Sequence, residues 1–294
     1  MRKSPEASIL RSLDHTLSPE ELGFFKHVLE ISKQTTPKPE NFLSVYPPED
    51  IQKDVARVER RNNDFESNTE TELYGATLEV LIQKLGPAWI GGSWSHTSEF
   101  DDYTKGIDLV VEIRAIDGTR VFLGIDATSS EEQVENKLNE VEQQTTQGIF
   151  PALKYFQSKK DIAIRGTVEL PRIIVGDIRE HIVELAGLYK KYVSAKDAET
   201  KNRLKSLLVN HPFGKELTAQ ILIQLALIKS DMPHLAQSDP ENLAYKKKIR
   251  ILENLETHFE RKKAGPLVRA PGQEQENAYS NPISSAIGAW RRAV

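Results

Sequence analysis

Two aspartates in residues 106–130, GIDLVVEIRAIDGTRVFLGIDATSS, can be brought face to face by the chain itself. Asp117-Gly118 is a hairpin turn signal between two apolar runs. A three-residue loop, Ile116 to Gly118, with glycine in the left-handed position, sets residue 108 opposite residue 126. A two-residue turn would slip the register by one and split the aspartates onto opposite faces. The pattern favours the longer loop, because Leu109, Val111, Ile113, Val121, Leu123 and Ile125 then form one wholly apolar face. Asp108, Val110, Glu112, Phe122, Gly124 and Asp126 form the other, with both carboxylates at its open end. Two ionised carboxylates side by side repel each other. A hard divalent cation, Mg²⁺ or Mn²⁺, removes that repulsion and suits oxygen ligands. Asp108 and Asp126 are therefore candidate metal ligands; the bland alternative is two acids ending two strands at solvent.

A cation and a third acid are within reach. Ser129 with Glu132, or Ser130 with Gln133, has capping-box spacing, and the helix it opens buries Val134, Leu138 and Val141. Lys137 falls inside that apolar stripe, where a lysine either snorkels out or meets an anion. Residues 68–86, NTETELYGATLEVLIQKLG, read as a helix ending at Gly86, with Tyr74, Leu78, Leu81, Ile82 and Leu85 on its core face. Glu72 and Glu79, seven apart, share another edge of it. They are solvated acids, or one of them points into the site. There is no Gly-rich phosphate loop, zinc-type spacing or Gly-x-Ser-x-Gly elbow. His96 reads as a polar structural residue.

The order helix with acid, strand with Asp, turn, strand ending Asp-x-Thr, helix with Lys resembles the PD-(D/E)XK nuclease superfamily, over roughly residues 70–177. The resemblance implies a restriction-endonuclease-like core: α/β, a small mixed central sheet flanked by helices, here with extra N- and C-terminal helices. It assigns Asp108 in KGIDLVV and Asp126 in LGIDAT as the paired acids, with Glu79 (preferred) or Glu72 as the helical acid. The family's lysine normally lies two residues after the second acid, where strand alternation puts both on one face. Thr128 occupies that slot. Some members carry the lysine on the following helix, which would be Lys137; Lys105 is a weaker substitute. Asp101 and Asp102 would assist a second metal, or cap the loop. The implied activity is Mg²⁺- or Mn²⁺-dependent phosphodiester hydrolysis, endo or exo, with DNA the expected partner by resemblance, although the residues do not decide DNA against RNA. The competing reading is a catalytically inactive nuclease fold serving as a nucleic-acid-binding or scaffold module. Thr128 and the acidic charge balance favour it. Lys154, Lys159, Lys160 and Arg165 are candidate phosphate contacts, each with a solvated-surface alternative.

The remaining chain must position these groups. Its 294 residues, 38% of them hydrophobic, support one large domain or two modest ones. No cysteine is present, which excludes disulfides and thiolate metal sites and fits a reducing compartment; a cytoplasmic location is expected. No apolar run is long enough to span a membrane, and MRKSPEASILRSLDH lacks the apolar stretch of a secretory signal. The net charge is −4, mildly against an overall basic nucleic-acid binder. Residues 1–66 read as a helical arm with helices in SPEELGFFKHVLEIS and PPEDIQKDVARVERRNNDF. Residues 67–178 read as the core. Within it AWIGGSW is a short strand, SEFDDYTKG a loop, IFPALKYFQS a short helix, and IAIRG and PRIIVGD strands. Residues 179–261 read as a C-terminal helical flank, and 262–294 as a disordered tail in which AIGAWRRAV could dock transiently.

Overall fold

The hairpin forms in the expected register. In the computed structural model, which describes residues 23–25, 27–28, 30–31, 35–64, 69–238, 242–263 and 281–293, strand β2 (Leu109–Arg114) pairs antiparallel with β3 (Arg120–Thr128), Leu109 opposite Ile125 and Arg114 opposite Arg120. The Asp108 N–H donates to the Ile125 carbonyl at 2.9 Å, which holds Asp108 at the end of the ladder, next to Asp126. Gly118 closes the loop at φ +83°, a conformation that costs glycine little. Strand β1 (Ser93–His96) flanks β2 antiparallel, and β6 (Arg172–Gly176) flanks β3 in parallel. The result is a mixed four-stranded sheet in the order β1-β2-β3-β6, packed among helices.

The apolar hairpin face, Leu109, Val111, Ile113, Val121, Leu123 and Ile125, lies in the main core. Helix α2 (Thr69–Trp89) covers it with Leu78, Leu81 and Ile82. This helix passes Gly86 instead of stopping there. Gly86 is a contact point: a Cβ on it would lie 2.6 Å from the Trp94 ring. The expected strand AWIGGSW is thereby reduced to Ser93–His96. Helix α4 (Glu131–Thr146) follows β3, capped by Ser130, whose side chain accepts from the Gln133 N–H.

Two local expectations are overturned. SEFDDYTKG is a helix, α3 (Glu99–Lys105), with Ser98 accepting from the Asp101 N–H and Gly106 closing it at φ +60°. The cap pair stops a helix of seven residues, too short to show periodicity. IFPALKYFQS forms strand β4 (Ala152–Gln157), paired with β5 (Arg165–Glu169) in a separate hairpin; β5 starts later than IAIRG. A bulge between Leu153 and Phe156 leaves backbone donors unpaired by β5. The Asp101 carboxylate, fully buried, accepts from the N–H groups of Lys154 and Tyr155 at 2.6 and 2.8 Å. The β4–β5 hairpin lies over the second face of β2–β3, where Leu153, Phe156 and Leu170 pack on Ile107 and Val110.

The arm helix α1 (Pro48–Asp64) packs through Ile51, Val55 and Val58 against Phe42, Phe100 and Tyr155. Ahead of it, Phe24, Phe25 and Val28 join the main core; Leu22 and Leu29 lie outside the described residues. Helices α5 (Arg179–Ser194), α6 (Ala198–Val209), α7 (Pro212–Ser238) and α8 (Leu243–Lys263) share that core. They flank the sheet, and no separate core is seen for them among the described residues. Two glutamines on α7, one turn apart, close the exposed edge of β6. Gln224 accepts from Ile174 N–H and donates to its carbonyl; Gln220 does the same for Gly176. An open strand edge is a template for association, and these side chains occupy it. The expected disordered tail is corrected in part: Lys262 and Lys263 belong to α8, residues 264–280 lie outside the described residues, and α9 (Pro282–Ala293) docks by burying Ile283 and Ile287. No helix among the described residues is long and apolar enough to cross a membrane.

Candidate functional site

Asp108, Asp126, Lys137 and Glu79 meet at the aspartate end of the hairpin. Asp126 is the best buried, with 2% of its side chain exposed. Lys137 reaches it from the first turns of α4: Val134, Leu138 and Val141 bury that side of the helix, and the Lys137 ammonium donates to Asp126 Oδ1 at 2.5 Å. Burial works against the charge on Lys137, but the carboxylates of Asp126 and Asp108 outweigh it and raise its pKa. Lys137 is therefore an ammonium at neutral pH. Asp108 Oδ2 accepts the Ala127 N–H at 2.6 Å, so the hairpin backbone fixes one acid beside the other.

Glu79 enters from α2, with 21% of its side chain exposed. Burial first, then the charge of Asp102, raises its pKa to about 8, against the opposing pull of Lys137. Asp108 is raised well above the usual carboxylate range by burial and by the neighbouring charges of Glu79, Asp102 and Asp126. Glu72 belongs to α2, but its side chain lies outside the described residues. Lys105 ends α3, and its charge is felt at Asp101.

The two loop acids separate in function because α3 turns them to different sides. Asp101 is the structural clamp on β4. Asp102 shares a hydrogen bond with Asp108 and is the member of the cluster most open to solvent. The protein atoms around it push its pKa up to about 6, with the Asp108 hydrogen bond opposing; water at the mouth tempers that push.

Sequence reasoning missed Arg172. At the start of β6 and buried, it donates through Nε to Asp126 Oδ2 at 3.1 Å and also through a terminal nitrogen. Its other terminal nitrogen meets Glu140 at 2.9 Å. A Cβ on Gly106 would lie 2.6 Å from this guanidinium, so Gly106 is needed for both its left-handed backbone and its lack of a side chain. The only signal was an arginine opening an otherwise apolar strand. His96 is buried, its Nδ1 3.9 Å from Glu79 Oε2, and burial lowers its pKa to about 4, so it is neutral beside that acid.

The expected phosphate contacts do not gather here. Lys154 bonds Asp54 at 2.6 Å, Lys159 donates to the Trp94 carbonyl at 2.6 Å, and Arg165 donates to the Asn41 carbonyl. The Lys160 backbone, by its N–H and carbonyl, serves Ser158 and Arg120.

Among the described residues no three carboxylates or imidazoles form a ready metal cage. The reason lies at Asp126, whose two oxygens are turned to Lys137 and Arg172. The donor chemistry nonetheless suits a hard divalent cation: Glu79, Asp102, Asp108 and Asp126 supply only oxygen, and burial first, then mutual repulsion, raises the pKa values of Glu79 and Asp108. Compared with known proteins, the chain matches no protein family, no curated protein and no solved structure.

Proposed function

We propose that the protein is a metal-dependent nuclease of the PD-(D/E)XK type, with a restriction-endonuclease-like core, acting on phosphodiester bonds, with DNA the expected substrate. The observation that carries this reading is the ammonium of Lys137 at 2.5 Å from Asp126, with Asp108 across the hairpin. A cation comes from the following helix to the acid pair, although Thr128 fills the usual slot. Asp108, Asp126 and Glu79 would hold Mg²⁺ or Mn²⁺, which when bound supplies charge relief on the phosphate and an acidified water. Asp102 stands at the mouth as a further acid.

The chain's own groups divide the remaining work. Lys137, kept charged by its carboxylate neighbours, stabilises negative charge developing on the phosphate and is unsuited to act as a base. Arg172 fixes the orientation of Asp126. The backbone N–H of Ala127 fixes Asp108. Neutral His96 sits behind Glu79 and adds no charge of its own.

A second reading, a nuclease fold that binds nucleic acid without cutting it, draws support from the double ion pairing of Asp126. The test is cleavage of single- and double-stranded DNA and RNA with Mg²⁺ or Mn²⁺, wild type against Asp108→Ala. Metal-dependent cutting that disappears in the variant is the expected result. No cutting by the wild-type chain on any of the four substrates would remove the enzymatic reading in favour of the second.

A further inference from the structure

Strand β1 is the outer strand of its sheet, and its free edge gathers positive charge that neither the core nor the acid cluster uses. Helix α2 packs on one face of this strand, where Gly86 lies against the Trp94 ring. The β4–β5 hairpin lies over the other face of the sheet. Lys84 comes from α2, and Lys159 and Lys160 from the turn that follows β4. Lys159 Nζ donates to the main-chain carbonyl of Trp94 at 2.6 Å, which fixes that turn against the strand edge. The like charges of Lys84 and Lys160 are felt at Lys159; burial first, and then these charges, lower its pKa. His96, at the end of β1, feels Lys159 and Lys84 as well, and its Nδ1 is 3.9 Å from Glu79 Oε2. His96 thus neighbours both the lysines and the acid cluster. At a rise of about 3.3 Å per residue, Trp94 lies roughly 7 Å along the strand from it.

These three cations are not neutralised within the protein. Lys137, Lys154 and Arg172 each meet a carboxylate. The partner of the Lys159 ammonium is a neutral carbonyl, which orients it and takes one of its three N–H groups. The side chains of Lys84 and Lys160 are exposed and have no hydrogen bond or ion pair among the described residues. Like charges held together repel, and an anion lying across them removes that repulsion. Ammonium groups suit phosphate as compact point charges. The chain as a whole carries a net charge of −4, and an acidic site repels a polyanion. A fixed group of cations a short way along β1 offsets that repulsion beside the acids.

We infer that Lys84, Lys159 and Lys160 form a phosphate-backbone contact along the free edge of β1, which holds a nucleic acid on the Glu79 side of the acid cluster. This rests on the nuclease reading for the identity of the ligand. Lys159, tied to the strand, sets the position of the contact, and Lys84 and Lys160 supply charge on either side of the edge.

The test is fluorescence anisotropy of the full chain with a labelled DNA duplex of about 30 base pairs, and with the matching single strand, in EDTA so that cutting is silent, over a salt series starting at about 50 mM. Lys84→Ala/Lys160→Ala leaves the Lys159 bond to β1 in place. It is expected to weaken binding about 10- to 100-fold at the lowest salt and to flatten the dependence of log K on log salt by about two. Lys84→Arg/Lys160→Arg keeps the charge and is expected to keep most of the binding. Lys246→Ala/Lys247→Ala, exposed on α8, is expected to bind as wild type. Unchanged affinity and salt slope in the Lys84/Lys160 alanine pair, with wild type still cutting in Mg²⁺, would overturn the β1 contact and leave the nuclease reading standing. Equal losses in the arginine and alanine pairs would show that charge is not what these positions supply and also overturn it. A labelled polyglutamate peptide that binds wild type as tightly as the DNA does, and is lost in the alanine pair, would reassign the lysines to an acidic protein partner and overturn the nucleic-acid contact. A wild-type chain that neither binds nor cuts any nucleic acid would sink both readings.

Discussion

Lys137→Met keeps the length and apolar stem of the side chain and removes only the ammonium. Two effects follow, and they can be separated. The first is on stability. Asp126 loses the 2.5 Å bond to Oδ1 but retains the Arg172 guanidinium on Oδ2. Losing one charged hydrogen bond, with the buried acid still partly compensated, costs about 1–3 kcal/mol; removing the sole partner of a buried charge would cost about 3–5 kcal/mol. The Lys137 side chain is 24% exposed, so water reaches the position it vacates, which favours the lower figure. The second effect, on the nuclease reading, is on the reaction. A pre-oriented cation facing developing charge contributes about 10²–10³ in rate, or roughly 3–4 kcal/mol of barrier. Arg172→Met should show the reverse balance. Its guanidinium is buried and faces two acids, so its loss should lower stability by about 3–5 kcal/mol. The assay is cleavage of labelled DNA under single-turnover conditions, corrected for the folded fraction from a urea titration. Lys137→Met is expected to be folded and slow, Arg172→Met poorly folded. Cutting by Lys137→Met within threefold of wild type per folded molecule would refute the claim that Lys137 takes the place of the missing residue-128 lysine.

Further outcomes follow from the charge balance and the packing. Glu79 titrates near 8 in the folded chain and near 4.3 when unfolded, so the folded state binds the extra proton between these values. Stability in EDTA should be greatest below about pH 4.5 as far as this group decides it. It should decline as pH rises toward about 8, by an amount on the order of several kcal/mol at most; urea titrations of wild type and Glu79→Gln at several pH values check this, and Glu79→Gln should flatten the slope. Adding Mg²⁺ at pH 8 should raise the melting temperature, since a ligand of the folded state stabilises it by mass action, and Asp108→Asn should abolish the rise. Gln224→Leu orphans the Ile174 N–H and carbonyl on the β6 edge and should cost about 1–3 kcal/mol for each group, with activity per folded molecule unchanged. Gly106→Ala forces a side chain onto Arg172 at φ +60° and should lower both stability and cutting rate, read by the same two assays.

The part of this fold legible in the sequence was the part governed by alternation. The two apolar rows of the hairpin had one consistent register, and that register places Asp108 opposite Asp126. Lys137 was legible for a similar reason, as a charge interrupting the stripe Val134, Leu138 and Val141. The misreadings came where tertiary partners overrode local pattern. Residues 152–157 form a strand because they pair with β5, and Asp101, some 50 positions earlier, supplies acceptors for the N–H groups of Lys154 and Tyr155 at the bulge. Gly86 looked like a helix stop because a glycine that admits the Trp94 ring is indistinguishable in sequence from one that ends a helix. Gln220 and Gln224 sat in a run apolar nearly all round, and only the neighbouring strand edge explains them. Arg172 could not be matched to Asp126 because the parallel pairing of β3 and β6 spans an intervening helix and hairpin.

On the nuclease reading, the placement of Lys137 accounts for a site with Thr128 in the usual lysine slot. Side chains at residues 126 and 128 share a face of β3 because strands alternate, and a lysine at 128 would approach Asp126 along the strand. Thr128 is buried, and its hydroxyl accepts the Ser130 N–H at 3.2 Å. It helps form the turn that starts α4 at Ser130. That turn determines where the helix begins, and Lys137 lies two turns into it. A lysine at 128 would forfeit the hydroxyl that shapes the turn, while a threonine there helps aim the helix that delivers the ammonium. On that reading the same local sequence, Thr128 through Ser130, forgoes a strand lysine and supports the helix that carries its replacement. The remaining charge of the cluster follows from this arrangement. Lys137 and Arg172 both converge on Asp126, so the deficit of positive charge falls on Glu79, Asp102 and Asp108. Those three have raised pKa values, and it is on their side of the site that a divalent cation would relieve most repulsion.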